Sequence, residues 1–344
     1  MRNDVNRKWV LNARPKGAAL EPDTFRWAEE PIPAVGEGEF LVRNLLISFD
    51  PALRGMINDV QSYVPPVQIG ETMRAGAIGQ VIESRHPDFQ AGDLVNGMFG
   101  WQEFAVSAGD GMMAARKLPP GVDPEAALSV LGGTGMTAYF GMKEVGKPVA
   151  GDTVVVSGAA GATGSVAGQV ARLLGASKVI GIAGGPEKCR WLTGEAKFDA
   201  AIDYKNEDVG ARLDALAPDG VNVYFDNVGG PILDQCLARI AQGARVVLCG
   251  GISSGYGVDR GPGPANYFQL VIRSARMQGF LLFDYLDQFP EATKVMQGWI
   301  DAGELKWRVD VAQGLESAPK TLAGLFTGAN LGKQLLKLGD PSAA

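Results

Sequence analysis

Hydrophobic and polar positions follow two different rhythms along this chain. From residue 1 to about 125, short apolar runs with partial alternation are separated by Pro and Gly clusters. "FLVRNLLISF", "AGAIGQVIES" and "GWQEFAVSAG" read as strands; "PIPAVGEGE" and "FQAGDLV" read as turns between them. This half predicts an irregular β-barrel. From about Pro124 the rhythm changes. "PEAALSVLGGTGMTAYFGMKEVG" predicts a helix, and after it near-continuous apolar strands alternate with helical segments. The expected strands are Thr153–Ser157, Lys178–Ala183, Ala200–Asp203, Val221–Asp226, Arg245–Gly250 and Met277–Leu282. Apolar strands separated by helices argue for a parallel sheet covered on both faces, and six of them fit a doubly wound nucleotide-binding sheet.

One junction in that pattern carries chemistry. In "VVVSGAAGATGSVAGQVARLLGA" the first strand stops at Gly158-Ala159-Ala160-Gly161-Ala162-Thr163-Gly164. A helix is expected over Ser165–Leu174, with Val166, Val170, Leu173 and Leu174 on one face. The turn departs from G-x-G-x-x-G, yet small residues still let the backbone approach a pyrophosphate, and the helix N-terminus offers N–H groups and a positive dipole end. An NAD enzyme places an acid near the end of the second strand for the ribose 2′-OH. Here that strand ends "GIAGGPEK", with no acid in Ile182–Gly185 and with Lys188 one helical turn on. A cation there suits a 2′-phosphate, and Tyr204 in "IDYK" is placed to close over it.

Composition removes other classes. The 344 residues predict two domains. The net charge of −6 without a Lys/Arg block argues against nucleic acid and anionic membrane as partners. The apolar runs are interrupted before they reach spanning length, and "MRNDVNRKWV" has no apolar signal core, so a cytoplasmic protein is expected. Cys189, Cys236 and Cys249 lack metal-ligand spacing, and the lone His86 sits in the turn-like "SRHPDF", so no metal site is expected. The 47 glycines, about twice the usual ~7%, fit many tight turns.

Together "FDPALRG", the glycine turn, "GIAGGPEKCRWL", "IDYK", "FDNVGG", "LCGGIS" and "NLGKQLL" resemble the zinc-independent medium-chain dehydrogenase/reductases, in the prostaglandin-reductase, plant double-bond-reductase and curcumin-reductase branch. The resemblance spans nearly the whole chain. It implies a GroES-like β-barrel domain over 1–125, a Rossmann domain over 126–304 and a C-terminal segment, 305–344, returning to the first domain. It implies NADPH, no metal, and reduction of the carbon–carbon double bond of an enal or enone. An NADPH-dependent quinone reductase and an inactive NADPH-binding protein are the alternatives.

The glycine-turn residues Ala159, Gly161, Ala162, Thr163 and Gly164, with Gly185 at the end of the second strand, are the expected cofactor contacts, and by the same resemblance Lys188 and Tyr204 lie at the 2′-phosphate. Asn227 and Asn330 also contact the cofactor. Cys249, Gly250, Ile252 and Ser253 lie beside the nicotinamide ribose, and Phe280, Leu281 and Leu282, a strand end, beside the nicotinamide.

Hydride addition to an enone leaves an enolate that needs a hydrogen-bond donor. Tyr256, on the loop after the fifth strand, and Tyr63, in "VQSYVPPV", are the candidate donors; Trp101 is expected to form a pocket wall. Relatives often read D-P-Y-M-R-G where this chain reads D-P-A-L-R-G, so Ala52 widens the expected pocket and removes a hydroxyl. The apolar sixth strand, "MQGFLLF", is an edge that predicts a homodimer.

Overall fold

The structure, a computed structural model, describes residues 5–111, 114–257 and 261–341. Fifteen strands occur among them. The first seven are β1 (Val5–Leu11), β2 (Phe25–Pro31), β3 (Phe40–Ser48), β4 (Ala77–Ser84), β5 (Leu94–Gly97), β6 (Phe104–Ser107) and β7 (Arg116–Lys117). Then come β8 (Thr153–Ser157), β9 (Lys178–Ala183), β10 (Ala200–Asp203), β11 (Val221–Asp226), β12 (Ile240–Leu248) and β13 (Arg276–Gly279), followed by β14 (Val309–Gln313) and β15 (Lys333–Lys337).

β8 to β13 form one wholly parallel sheet in the order β10-β9-β8-β11-β12-β13. Side chains alternate between its faces. Val154 and Val156 join a core with the Gly133–Phe140, Ala162–Leu173 and Phe289–Asp301 helices, while Val155 joins the opposite core with the Val209–Leu216 and Gly230–Leu237 helices. Both faces are thus sealed, which explains why these strands read as unbroken apolar runs. The strand order reverses between β8 and β11, so a crevice opens beyond their carboxyl ends.

The other large sheet runs β14-β15-β3-β4-β5-β7, with β6 also on β3, around a core containing Phe40, Phe49 and Trp101. β15 pairs antiparallel with β3, Leu335 opposite Ser48. This arrangement is the GroES-like domain joined to a Rossmann domain.

Three local expectations change. The segment read as one helix from Pro124 is broken into Pro124–Leu128, Gly133–Phe140 and a wider helical turn, Gly141–Gly146, because the backbone leaves helical angles at Ser129 and Gly132. The fifth strand starts at Ile240 and ends at Leu248, since the pairing bulges between Val221 and Val223 and takes in residues before Arg245. The sixth strand stops at Gly279. Phe280 turns its ring toward Phe225 and Gly141 in the core, and a 3-10 helix begins at Leu282. Phe280 to Leu282 therefore follow the strand rather than end it.

Candidate active site

At the carboxyl end of β8 the chain turns through Gly158, whose φ is +57°, into the helix Ala162–Leu173. Gly164 must be glycine: a Cβ there would lie 2.4 Å from the carbonyl oxygen of Gly158. Gly161 stands at the N-cap in extended conformation, and no side chain caps the helix. This leaves a bare, positively polarised helix end over a close-packed backbone turn, with Ala162, Thr163 and Gly164 in its first turn. Ala159 and Ala160 are buried beneath it. The C-terminal segment locks onto the same turn, because Gly332 N–H donates to the Ala160 carbonyl at 2.8 Å and the Asn330 side chain donates to the Gly332 carbonyl at 2.8 Å.

A second cluster lies beyond β9. A Cβ on Gly184 would meet Tyr204 and Lys205 side-chain carbons at 2.9 Å, so both side chains lie over the strand end. Lys188 donates to the Gly328 carbonyl at 2.8 Å, and its ammonium pKa is lowered by burial and then by Lys205. The nearby acid, Asp203, is already engaged: it accepts from the N–H groups of Gly185 at 2.7 Å and Lys205 at 3.1 Å and from the Asn206 side chain at 2.8 Å. Those bonds hold its carboxyl below the usual range. Two lysines and a half-exposed tyrosine thus flank a strand end that carries no free acid, which fits a 2′-phosphate better than a bare 2′-hydroxyl. Lys205 was missed at the sequence level, although it is the last residue of "IDYK".

The ends of β11 and β12 are cross-braced. Buried Asp226 accepts from Ser157 Oγ at 2.9 Å, Tyr224 hydroxyl at 2.7 Å and the N–H groups of Val228 and Gly229 at 3.0 and 2.9 Å. Asn227 donates its side-chain amide to the Ser157 carbonyl at 2.7 Å. The next loop follows this brace, with Cys249 and Gly250 donating to the Asp226 carbonyl, Ile252 to that of Asn227 and Ser253 to that of Val228.

A cavity of about 760 Å³ opens here between the two domains. Residues 52–66 wall it on the barrel side, including Ala52, Met56, Asn58, Val60 and Tyr63. Cys249, Gly250, Ser253, Tyr256 and the Gly229–Gly230 turn wall it on the other. Asp234 is the charged residue among this lining, and its carboxylate accepts from Asn266 N–H at 3.0 Å. Tyr256 closes the inner wall in a left-handed conformation, φ +54°. Its hydroxyl oxygen accepts from Gly251 N–H at 3.3 Å, and burial pushes its phenol up to about 12. Tyr63 stands half-exposed at the mouth, tilted against Phe283 at 6.0 Å between ring centres. Its phenol is raised by partial burial and by Asp50.

Trp101 does not form a pocket wall. It is fully buried in the barrel core, stacked on Phe49 at 5.0 Å and tilted against Phe25 at 5.1 Å. A glycine-flanked tryptophan before a strand gives no local sign of which face it will take. Phe280, Leu281 and Leu282 are likewise outside the cavity lining. Met56, Asn58 and Val60 also line the cavity without any local sign in the sequence, because they face it only where the two domains meet.

Residues 7–115 match the family described as the N-terminal domain of oxidoreductase, and residues 162–298 match the family described as zinc-binding dehydrogenase. The donors here do not fit that metal. Among the described residues no group of three His, Cys, Asp or Glu side chains converges. The three cysteines lie on separate elements, burial raises each thiol, and His86 packs against Phe40 and Phe89. A cysteine binds zinc as its thiolate, which burial disfavours here, and a lone imidazole supplies one of the three or four protein ligands that zinc takes.

The chain is 39% identical to the NADPH-dependent curcumin reductase of Escherichia coli, over 97% of this chain and 98% of that one. It is 40% identical to the NADP⁺-dependent 2-alkenal reductase of Nicotiana tabacum, over 88% of each. The crystal structure of CurA from Vibrio vulnificus in complex with NADPH superposes with a TM-score of 0.90 at 39% identity, covering 97% of this chain and all of that one. With near-complete coverage at this identity, a glycine-turn Rossmann sheet beside a GroES-like barrel, and no zinc donor set among the described residues, the chain belongs to the zinc-independent branch of the medium-chain dehydrogenase/reductase family.

Proposed function

We infer that this protein is an NADP-dependent oxidoreductase that reduces the carbon–carbon double bond of α,β-unsaturated aldehydes or ketones. The observation that carries the reading is the cavity. It is walled largely by uncharged side chains, lies beyond the carboxyl ends of β11 and β12, and contains a tyrosine whose phenol stays protonated at neutral pH. The curated relatives named above act, by their names, on curcumin and 2-alkenals, acceptors that such a lining suits.

The residues present fit NADPH. The glycine turn and the bare helix end would hold the pyrophosphate; Lys188, Lys205 and Tyr204 would hold the 2′-phosphate; Asn227, Asn330 and the Cys249–Ser253 stretch would flank the rest. When bound, NADPH supplies the hydride for the β-carbon of the acceptor. The chain must then stabilise negative charge on the acceptor oxygen. Tyr256 is suited to this: its oxygen already takes Gly251 N–H, so its own proton is left to donate into the cavity. Tyr63, at the mouth, is the second donor candidate and a substrate contact. Ala52 opens the wall beside them and admits bulkier acceptors. The test is NADPH oxidation across a panel of enals, enones and simple quinones. Turnover of enones with quinones inert supports the reading; quinone turnover alone would replace it with a quinone reductase, and turnover of none with an inactive binding protein.

A homodimer is part of this proposal. β13 lies at the edge of the parallel sheet, and beside it in sequence Tyr267, Phe268, Val271 and Ile272 are all more than half exposed. An apolar surface next to an unpaired strand is an association site unless covered. Val271→Asp is expected to convert the dimer to a monomer in sedimentation at micromolar concentration; a monomeric native protein would remove the proposal. A reducing, cytoplasmic setting is proposed too, supported by three unpaired cysteines; among the described residues no helix is long and apolar enough to cross a membrane.

A further inference from the structure

Tyr256 is held by more than its own loop. A bulky residue with φ +54° sits in a sparsely populated region and persists when its surroundings fix it. Its N–H donates to Ser254 Oγ at 3.2 Å, which is local. Its carbonyl, however, accepts from Asn58 Nδ2 at 2.6 Å, across 198 residues of sequence and from the opposite domain. Asn58 is itself fixed. It is nearly fully buried, and its Oδ1 accepts from Arg54 Nη1 at 2.7 Å. An amide whose oxygen and nitrogen are both engaged cannot rotate without breaking both bonds.

Arg54 is only 1% exposed, and among the described residues no carboxylate bonds to it. Its Nε donates to the Ala18 carbonyl at 3.1 Å and its Nη2 to the Gly17 carbonyl. The Gly17–Ala18 segment in turn abuts the Tyr256 loop: a Cβ on Gly255 would lie 2.5 Å from that of Ala18, and one on Gly257 3.6 Å from the Ala18 Cα. A single guanidinium fork therefore reaches the loop by two routes, one through Asn58 and one through the 17–18 segment. Burying a cation on neutral acceptors is costly, and barrel stability alone does not require it. The rigid planar fork is what three acceptors in fixed directions demand, and a lysine cannot reproduce it.

We propose that Arg54 and Asn58 are positioning residues that reach across the domain junction and fix the orientation of Tyr256 toward the substrate cavity. The catalytic part of this proposal rests on the reading of Tyr256 as the enolate donor.

The test separates the two. Protein labelled with [13Cζ]tyrosine has seven tyrosine signals at most, and that of Tyr256 is identified by its loss in Tyr256→Phe. In Asn58→Ala the Tyr256 signal is expected to shift and broaden while NADPH affinity holds, and the single-turnover rate falls about tenfold, as misplacement of a reacting group does. Asn58→Ser is the second variant if Asn58→Ala folds poorly, and Arg54→Lys is expected to give the same signal change. The double variant Asn58→Ala/Tyr256→Phe should be no slower than Tyr256→Phe alone. A Tyr256 signal unmoved in a folded Asn58 variant overturns the positioning role. A moved signal with Tyr256→Phe as fast as the native enzyme keeps the positioning role and removes Tyr256 as the donor. Fully multiplicative losses in the double variant show that Asn58 acts on something other than Tyr256 and overturn the proposal.

Discussion

The proposed cofactor edge and the proposed substrate cavity of this protein are built by opposite means. Along the edge, each group proposed to hold the cofactor sits at the end of a parallel strand whose register is set by buried valines and isoleucines on both faces. The glycine turn follows β8, the lysine cluster β9 and β10, and the Asp226 brace β11. At the cavity no such element is responsible. Its barrel wall is an irregular stretch, residues 52–66, and its Rossmann wall is a loop whose key tyrosine is left-handed and tied to a side chain from the other domain. The edge is preorganised by one sheet, whereas the cavity exists only where two domains meet. Changes at the edge should therefore act on cofactor affinity without regard to acceptor, and changes at the cavity on turnover and acceptor choice.

The largest effect that sharpens this contrast is expected at Gly164. Valine there drives Cβ into the Gly158 carbonyl, and overpacking of about 1–3 kcal/mol or more should weaken NADPH and NADH alike by about 100-fold. Fluorescence titration of a variant with native circular dichroism measures it; unaltered affinity would remove the glycine turn from the cofactor site. Next is Lys188→Ala. Losing a charge-assisted bond of about 1.5–3 kcal/mol should cost NADPH roughly 10- to 100-fold while NADH changes little. Lys205→Ala should act in the same direction. Equal losses for both cofactors would take the lysines away from the 2′-phosphate.

On the cavity side the effects are smaller and fall on chemistry. Loss of an oxyanion donor typically costs about 10²–10³ in kcat. For Tyr256→Phe about tenfold is expected, because solvent and the cofactor ribose can donate in its place. Single-turnover NADPH oxidation with a good enone, compared with Tyr63→Phe, decides between the two phenols: native speed for Tyr256→Phe and a slow Tyr63→Phe would move the donor to the barrel wall. Ala52→Phe should lower kcat/KM for bulky enones several-fold and leave small enals unchanged, within the roughly 1–3 kcal/mol that pocket shape supplies. Equal effects on both would show that Ala52 does not gauge acceptor size.

The smallest effect is one of pH. The Tyr256 phenol titrates near 12 in the folded state against 10.0 for a free tyrosine. Turnover should hold level through pH 10 and decline only toward 12. Its contribution to stability is present below 10 and lost as the pH rises from 10 to 12, where the unfolded chain ionises first. An alkaline limb centred near 10 that vanishes in Tyr256→Phe would place this phenol in open solvent.

The same contrast governs what could be read from the residues. Four of the six parallel strands are legible to the residue, because burial on both faces leaves a short apolar run, bounded by glycine at Gly158, Gly184 and Gly220 and by charged or aromatic residues around Ala200–Asp203. The fifth and sixth failed at their ends, where a bulge and the inward turn of Phe280 override the run. Lys188 and Tyr204 can be named from the residues that follow the second and third parallel strands, and the strand ends set them, with Lys205, around one place; their contact with the cofactor is the proposal that the lysine variants test. Trp101, Asn58 and Met56 carry no local sign of their places. A tryptophan before a strand fits a core or a pocket equally well, and Asn58 gains its role only from a carbonyl 198 residues away.

Hydride delivery to the β-carbon of an enone underlies every role given to the cavity. The most direct measurement is reduction of a simple enone with NADPH deuterated at nicotinamide C4, followed by NMR of the product. The expected product is a saturated ketone carrying one deuterium at the β-carbon and a solvent proton at the α-carbon. Deuterium on the carbonyl carbon, giving an allylic alcohol, or no enone turnover beside rapid quinone reduction, would contradict it.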